Sequence, residues 1–312
     1  MKKKSTPFDK FTKRKSNAAI KEQFRQEKRK IKKEREEYFE KKKSEVRGQG
    51  LENSQQLSAT GHRATAIRSS SSDLMPLNKF IAHAGVSGRR EAAEMVKKGL
   101  VKVNGELITE PGHKVSAKDE VKVNGKKVFP AKNLVYILLN KPKDYITTTD
   151  DPQNRKTVLD IISRATKERV YPVGRLDRNT SGVLLLTNDG ELAQKLTHPS
   201  NEIKKIYTVT LNKPLEKKDF DQILKGVQLE DGMASVDALA YADVKDKMIL
   251  GVEIHSGRNR IVRRIFEHLG YDVRNLDRVI FAGLTKKNIE RGKWRFLTEK
   301  EVRDLKYFGK GR

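Results

Sequence analysis

The chain has 312 residues, 36% hydrophobic and 35% charged, with a formal charge of +26 and a pI near 10.0. That length accommodates two domains and a tail, and the charge asks for a polyanionic partner, nucleic acid before membrane. There are no cysteines, which excludes disulfides, thiol catalysis and thiolate metal sites, and the six histidines show no metal-ligand spacing. No apolar run approaches the roughly 20 residues of a membrane span, and the charged N-terminus lacks the apolar stretch of a signal peptide. The expected location is cytoplasmic.

Residues 1–73 carry 21 Lys and Arg against 10 Asp and Glu, with hardly any apolar periodicity. Asn17 to Val46 mixes Lys, Arg, Glu and Gln and suits a solvated helix. Gly48 to Ser72, rich in Ser, Gln, Thr and Gly, has the composition of a flexible linker. The segment is expected to be disordered. It is either a solvated extension without a specific role or a phosphate-binding arm that steepens the salt dependence of binding.

From Leu77 the pattern changes. Leu77, Phe80, Ile81 and Ala84 fall at helical spacing, and Gly85 ends that helix. Ser87 reads as the N-cap of a second helix with apolar positions Ala92, Met95 and Val96, stopped by Gly99. Val101-Lys102-Val103-Asn104-Gly105 is repeated as Val121-Lys122-Val123-Asn124-Gly125, each an alternating strand followed by an Asn-Gly hairpin signal. Residues 75 to about 128 therefore make a small α+β unit of two helices and two hairpins. Its cations Arg89, Arg90, Lys97, Lys98 and Lys102 gather on the second helix and the strand after it. There they suit a phosphate backbone or simply a solvated face. The run Leu77 to Ala92, followed by Gly99 to Gly105, resembles an S4 domain, a module that binds structured RNA. That resemblance implies an RNA partner rather than DNA, with 75–132 as the RNA-binding domain and 133–312 as a second domain.

In that second domain, Val135-Tyr136-Ile137-Leu138-Leu139 reads as a buried strand leading into Asn140-Lys141-Pro142. Gly174-Arg175-Leu176-Asp177-Arg178-Asn179-Thr180-Ser181-Gly182 sets one carboxylate among arginines, with turn formers after it and Val183 to Leu186 beyond. A carboxylate kept ionised by Arg neighbours on a loop is a candidate nucleophile or base, and a plain turn aspartate is the bland alternative. Asn188-Asp189-Gly190-Glu191 opens a helix that ends before Pro199. Ile206 to Leu211 alternates, with Tyr207, Val209 and Leu211 on one face. The Tyr207 ring there either packs or lies over a flipped base with its hydroxyl placed for proton transfer. Met248, Leu250, Val252 and Ile254 alternate likewise. Thr298-Glu299-Lys300-Glu301 fits a capping box before a last helix.

Gly257 to Phe266 reads as a helix with the apolar stripe Ile261, Val262, Ile265, Phe266 and Leu269. At about 100° per residue, Arg263 and Arg264 flank that stripe on opposite sides, each roughly 130° from its centre. Either could pair with a semi-buried carboxylate, and periodicity does not choose. Strands interleaved with short helices and long connections suggest an α+β domain with a mainly antiparallel sheet.

Taken in order, Leu138 to Pro142, Gly174 to Gly182, Lys205 to Val209 and Gly257 to Arg264 resemble a bacterial pseudouridine synthase of the RsuA/RluB type. Leu284 and Gly292 to Thr298 match the end of that pattern, and the likeness spans about Leu77 to Lys306. It implies an S4 module followed by a synthase domain with a mainly antiparallel mixed sheet and a central cleft. The activity implied is isomerisation of a uridine in ribosomal RNA, and the partner is that RNA or a ribosomal precursor particle. The family's catalytic aspartate falls on Asp177, its tyrosine on Tyr207 and its basic partner on Arg263, which closes the choice left open above. Arg175 matches a position that fills the gap left by the flipped uridine. Arg89, Arg90, Lys97, Lys102, Lys141, Arg258, Arg260 and Arg264 are the further expected RNA contacts. Ser256 and Ile261 depart from the family pattern and bear on substrate choice more than on activity. Gly257 to Arg260 resembles the large-subunit branch more than the small-subunit one.

The residue types suit the chemistry. Isomerisation breaks the N1–C1′ bond, turns the uracil and rejoins it through C5, with no redox change and no group lost, so neither cofactor nor metal is required. The uridine must leave the stack at a cost of roughly a few kcal/mol. A carboxylate then attacks the sugar or takes a proton from it, much as in a glycosidase. A monomer is expected. The alternative, a non-catalytic S4-type ribosome-associated protein, predicts decay of Asp177, Tyr207 and Arg263, and all three are present. A DNA-binding protein accounts for the charge but for neither motif.

Overall fold

The computed structural model describes residues 74–130, 133–242 and 246–307. The basic tail expected over 1–73 lies outside the described residues. The first unit runs β1 (Met75–Pro76), α1 (Leu77–His83), α2 (Arg89–Lys97), β2 (Val101–Val103), β3 (Glu106–Leu107), β4 (Lys114–Val115), β5 (Val121–Val123) and β6 (Lys126–Val128). The Asn-Gly dipeptides set its sheet. Asn104 and Asn124 take φ of 51° and 49°, with Gly105 and Gly125 also at positive φ, as the primed turns of tight hairpins require. The resulting strand order is β3-β2-β5-β6. Leu77, Phe80, Ile81, Ala92 and Val96 bury against Val101, Val103, Val121 and Val123, while Met95 is only partly buried. The cap of α2 differs by one residue from the expectation. Gly88, not Ser87, is the N-cap, and its N–H donates to Glu91 Oε2 at 2.9 Å.

The second unit continues through β7 (Tyr136–Lys141), α3 (Val158–Ile162), β8 (Tyr171–Pro172), β9 (Thr180–Thr187), α4 (Gly190–Thr197), β10 (Lys205–Leu211), α5 (Lys217–Lys225), β11 (Val227–Leu229) and β12 (Gly232–Ala234). It ends with β13 (Ala238–Tyr241), β14 (Ile249–Ile254), α6 (Ile261–His268), β15 (Val273–Phe281), β16 (Leu284–Thr285), β17 (Trp294–Phe296) and α7 (Glu299–Tyr307). One sheet runs β13-β14-β10-β15-β9-β7-β17, with β8 on β9 and β16 on β15. Its pairings are antiparallel apart from β15 with β9, so the sheet is mixed as expected.

Strands β7 and β9 are buried along their whole length. Ile137, Leu139, Leu184 and Leu186 pack on one face, and Leu138, Val183 and Leu185 on the other, the period-two pattern of a strand covered on both sides. A separate apolar cluster joins β10 and β14 to α5, α6 and Tyr271. The two halves of the sheet meet at the parallel seam, where Leu276, Asp277 and Arg278 lie opposite Thr180, Ser181 and Gly182. Gly182 sits there at φ +110°, and a Cβ on it would come 2.6 Å from the Arg278 nitrogen and overlap the Arg278 carbonyl. Only glycine permits that approach. Ser181 Oγ donates to Asp277 Oδ1 at 3.1 Å across the seam.

Candidate active site

Asp177 stands on the turn that feeds β9. The turn is closed by the Thr180 N–H donating to the Asp177 carbonyl at 3.0 Å. Lys141, the last residue of β7, is fully buried beneath it. Its ammonium is ringed by the carbonyls of Pro142, Asp177, Arg178 and Thr180 at 3.0, 3.1, 3.2 and 2.8 Å. Burial draws the pKa of this lysine down to about 8, against the pull of Asp177 and Asp144. From the other side, Thr147 Oγ1 donates to the Leu176 carbonyl at 2.9 Å, and the Asp144 N–H donates to the Arg178 carbonyl at 2.9 Å. A loop tied at so many backbone oxygens is preorganised.

Helix α6 brings the cation. Its expected start at Gly257 is corrected: the helix begins at Ile261, after Arg260 at φ 47°, so Gly257 to Arg260 is a loop. Arg263 is buried on the inner side of α6. Its Nη1 donates to the Val273 carbonyl at 2.8 Å and its Nη2 to the Asn179 carbonyl at 3.4 Å. Its Nε faces Asp177 Oδ2 at 3.9 Å, and Arg260 Nη1 reaches the same oxygen at 3.9 Å. Burial, then the neighbouring Arg260, lower the pKa of Arg263, with Asp177 pulling the other way. A guanidinium nevertheless stays charged in a folded protein.

Asp177 and Arg260 line one cavity of about 290 Å³, with Tyr207, Thr180, Lys205, Arg278 and the loop Ser256 to Asn259, while Arg263 stands behind Asp177 and outside the lining. Asp177 is its one lining acid, against the cations Arg175, Lys205, Arg258, Arg260 and Arg278, while Ile254, Val262, Leu276 and Phe281 supply apolar wall. Tyr207 lies on β10 between two apolar clusters and is partly buried. Such a site suits an anionic substrate whose reacting part is planar and apolar-faced.

A family model described as RNA pseudouridylate synthase matches residues 135–268, and one described as S4 domain matches 75–121. The chain is 44% identical to the ribosomal large subunit pseudouridine synthase B of Bacillus subtilis (strain 168), over 74% of this chain and 95% of that one. The chain belongs to the RNA pseudouridylate synthase family. It is 35% identical to the dual-specificity RNA pseudouridine synthase RluF of Escherichia coli (strain K12), over 73% of this chain and 77% of that one. A crystal structure of a pseudouridylate synthase matches with a TM-score of 0.53 at 28% identity, over 74% of this chain and 99% of that chain. The synthase is thus an isomerase with an RNA partner.

The other residues expected at the RNA divide. Arg175 is exposed at the cavity mouth, and Arg89, Arg90, Lys97 and Lys102 are exposed on α2 and β2. Arg258 and Arg264 both bond the carboxylate of Asp231, Arg264 Nη2 at 2.6 Å, and these partners hold Asp231 well below the usual carboxylate range. Arg260 pairs with Glu267 at 3.2 Å. Lys141 is a correction. A fully buried ammonium spent on four carbonyls does not face RNA; it ties the Asp177 loop to β7.

Sequence reasoning missed Lys205 and Arg278 in the cavity wall. A signal for Arg278 was present: two charges, Asp277 and Arg278, interrupt an otherwise apolar strand from Leu276 to Phe281. Its position opposite Tyr207 is a matter of register between distant strands.

Proposed function

We propose that this synthase isomerises one uridine of ribosomal RNA, in the large subunit, with Asp177, Tyr207 and Arg263 as its catalytic set. The observation that carries the reading is the tied Asp177 loop, whose carboxylate faces Arg260 and Arg263 in the cavity that Tyr207 also lines. The names of the relatives from Bacillus subtilis and Escherichia coli support an RNA target, and the first supports the large subunit.

In this reading the target uridine flips out of the RNA and its base enters the cavity. Arg175 fills the place it leaves. The Asp177 carboxylate attacks C1′ or removes the C2′ proton, the uracil detaches and turns, and C5 closes on C1′. Arg263 orients the carboxylate from 3.9 Å. Tyr207 offers a stacking face and takes part in moving the C5 proton. The 3.9 Å gap from Arg263 Nε to Asp177 is longer than a hydrogen bond. Catalytic hydrogen bonds commonly tighten once substrate is bound.

The chain divides in this reading into a basic tail at 1–73, an S4 RNA-binding domain at 75–132 and a synthase domain at 133–312. It acts as a monomer in the cytoplasm, on ribosomal RNA or a precursor particle. No helix among the described residues is long and apolar enough to cross a membrane. The exposed cations of α2 and β2 hold phosphates and so position the RNA. The test is a map of pseudouridines in ribosomal RNA from cells lacking the gene. One large-subunit position should lose the modification and regain it with the wild-type gene. An unchanged map contradicts the reading.

A further inference from the structure

The cavity holds a cation that the catalytic set leaves unused. Arg278 on β15 is 2% exposed, and its register partner on β10 is Tyr207. Its Nε donates to the Val183 carbonyl at 2.8 Å, and its guanidinium lies 4.6 Å from the centre of the Phe281 ring. Those two contacts fix its plane. Yet Nη2 is buried and has no hydrogen-bond partner among the described residues. A buried, fixed and unpaired donor of this kind costs stability unless something else meets it.

Lys205, the partner of Phe281 in the same register, also lines the cavity, with its ammonium donating to the His255 carbonyl at 2.5 Å. Burial, and then the charge of Arg278, draw its pKa down to about 8. Two cations thus crowd the cavity wall beside Tyr207. The lining carboxylate, Asp177, is already shared by Arg260 and Arg263. A phosphate stays on the RNA backbone at the surface, where Arg175 and Arg260 are exposed. Arg278 lines the cavity, so a base that enters it lies against this residue.

The chemistry gives the base a reason to need it. When N1–C1′ opens, the bonding pair leaves with uracil, and the ring anion spreads its charge onto N1, O2 and O4. At the sugar, C1′ gains a bond to a carboxylate oxygen of Asp177, or the C2′ proton passes to that carboxylate and its electron pair forms a C1′–C2′ double bond. The ring then turns and its C5 bonds C1′. The C5 hydrogen leaves as a proton and N1 takes one up; the carboxylate leaves C1′ in the first case and returns its proton to C2′ in the second, so the product is an isomer of the substrate. Donors already fixed where charge develops favour such a step most.

Resting on the function proposed above, we propose that Arg278, with Lys205 beside it, is a catalytic residue whose unpartnered amino group receives a uracil oxygen of the detached, anionic base. The Phe281 ring holds the guanidinium flat, and the β10–β15 register puts it next to the tyrosine over which the base lies.

The test compares two RNAs that carry uridine or 5-fluorouridine at the target, under single-turnover conditions, following loss of the parent nucleoside. A C5 fluorine withdraws electrons, so the departing ring needs less help with its charge. Arg278→Met should slow the uridine reaction by about 10²–10³-fold, the usual effect of removing one such donor. The loss with 5-fluorouridine should be at least tenfold smaller, and RNA affinity should stay within a few-fold. Arg278→Lys, which keeps a cation, should lose less than Arg278→Met on uridine. Equal losses on both RNAs overturn the assignment, because a merely structural role does not sense the leaving base. Should the melting curve show that Arg278→Met does not fold, Lys205→Met takes its place: a smaller loss on 5-fluorouridine supports the assignment, and equal losses overturn it. A wild-type protein that leaves both RNAs unchanged contradicts the proposed function instead.

Discussion

The Arg263 guanidinium spans from the Val273 carbonyl, 2.8 Å from Nη1, to the Asp177 loop, where its Nε stands 3.9 Å from Asp177 Oδ2. One side chain therefore ties α6 to β15 and to the turn before β9, and sets its Nε opposite the carboxylate. The two tasks separate under substitution. Arg263→Lys keeps a charge but cannot hold two carbonyls and the carboxylate together. Its single-turnover rate should fall by about 10²-fold with RNA affinity nearly intact. Arg263→Met, which leaves the carbonyls without their donor, should also lower stability by about 1–3 kcal/mol in a denaturant melt.

Lys141 gives the second prediction. As a tie under the Asp177 loop, its replacement by Met strands four carbonyl oxygens and should cost about 3 kcal/mol and most of the activity. The salt dependence of RNA binding should not change. A lost phosphate contact lowers the salt slope by about 1, so a drop of that size would return Lys141 to the RNA surface.

The buried Lys141 and the half-buried Lys205 both carry a pH signature. Lys141 and Lys205 have folded-state pKa values near 8, below the roughly 10.4 of an unfolded lysine. Between those values the unfolded chain binds more protons, so their contribution to stability rises with pH. Activity moves the other way, because the charged forms hold the loop and face the base. The single-turnover rate should fall on the alkaline side with a midpoint near 8, and log rate should approach a slope of about −2 against pH. Lys205→Arg, charged throughout, should reduce that slope to about −1.

At the seam of the sheet, Gly182→Ala puts a methyl into the Arg278 backbone at positive φ. Thermal melts should show a loss of about 3 kcal/mol or more, since neither strand of the seam can withdraw without breaking the pairing.

Much of the fold is legible in the sequence, for a local reason. The Asn-Gly hairpins, the Asp189 cap, which accepts the Leu192 N–H at 3.0 Å, and the Thr298–Glu301 box follow from neighbouring residues. The motif around Asp177 is legible for its chemistry, and Tyr207 for its place in an alternating strand. What escapes is non-local. Helical geometry cannot choose between Arg263 and Arg264, because the choice depends on what each flank of α6 meets: the Asp177 loop on one side and Asp231 on the other. Lys141 reads as a surface cation until β9 closes over it, and Arg278 gains its meaning from pairing with strands far away in the chain. The helix start moves because Arg260 adopts a left-handed backbone, which frees Gly257 to Arg260 to line the cavity.

Everything in the proposed reaction depends on the Asp177 carboxylate. Its most direct test measures pseudouridine formation in ribosomal RNA by Asp177→Asn beside wild type, with RNA affinity measured on the same samples. The modification should disappear while affinity stays within a few-fold; pseudouridine formed at the wild-type rate would remove Asp177 from the reaction.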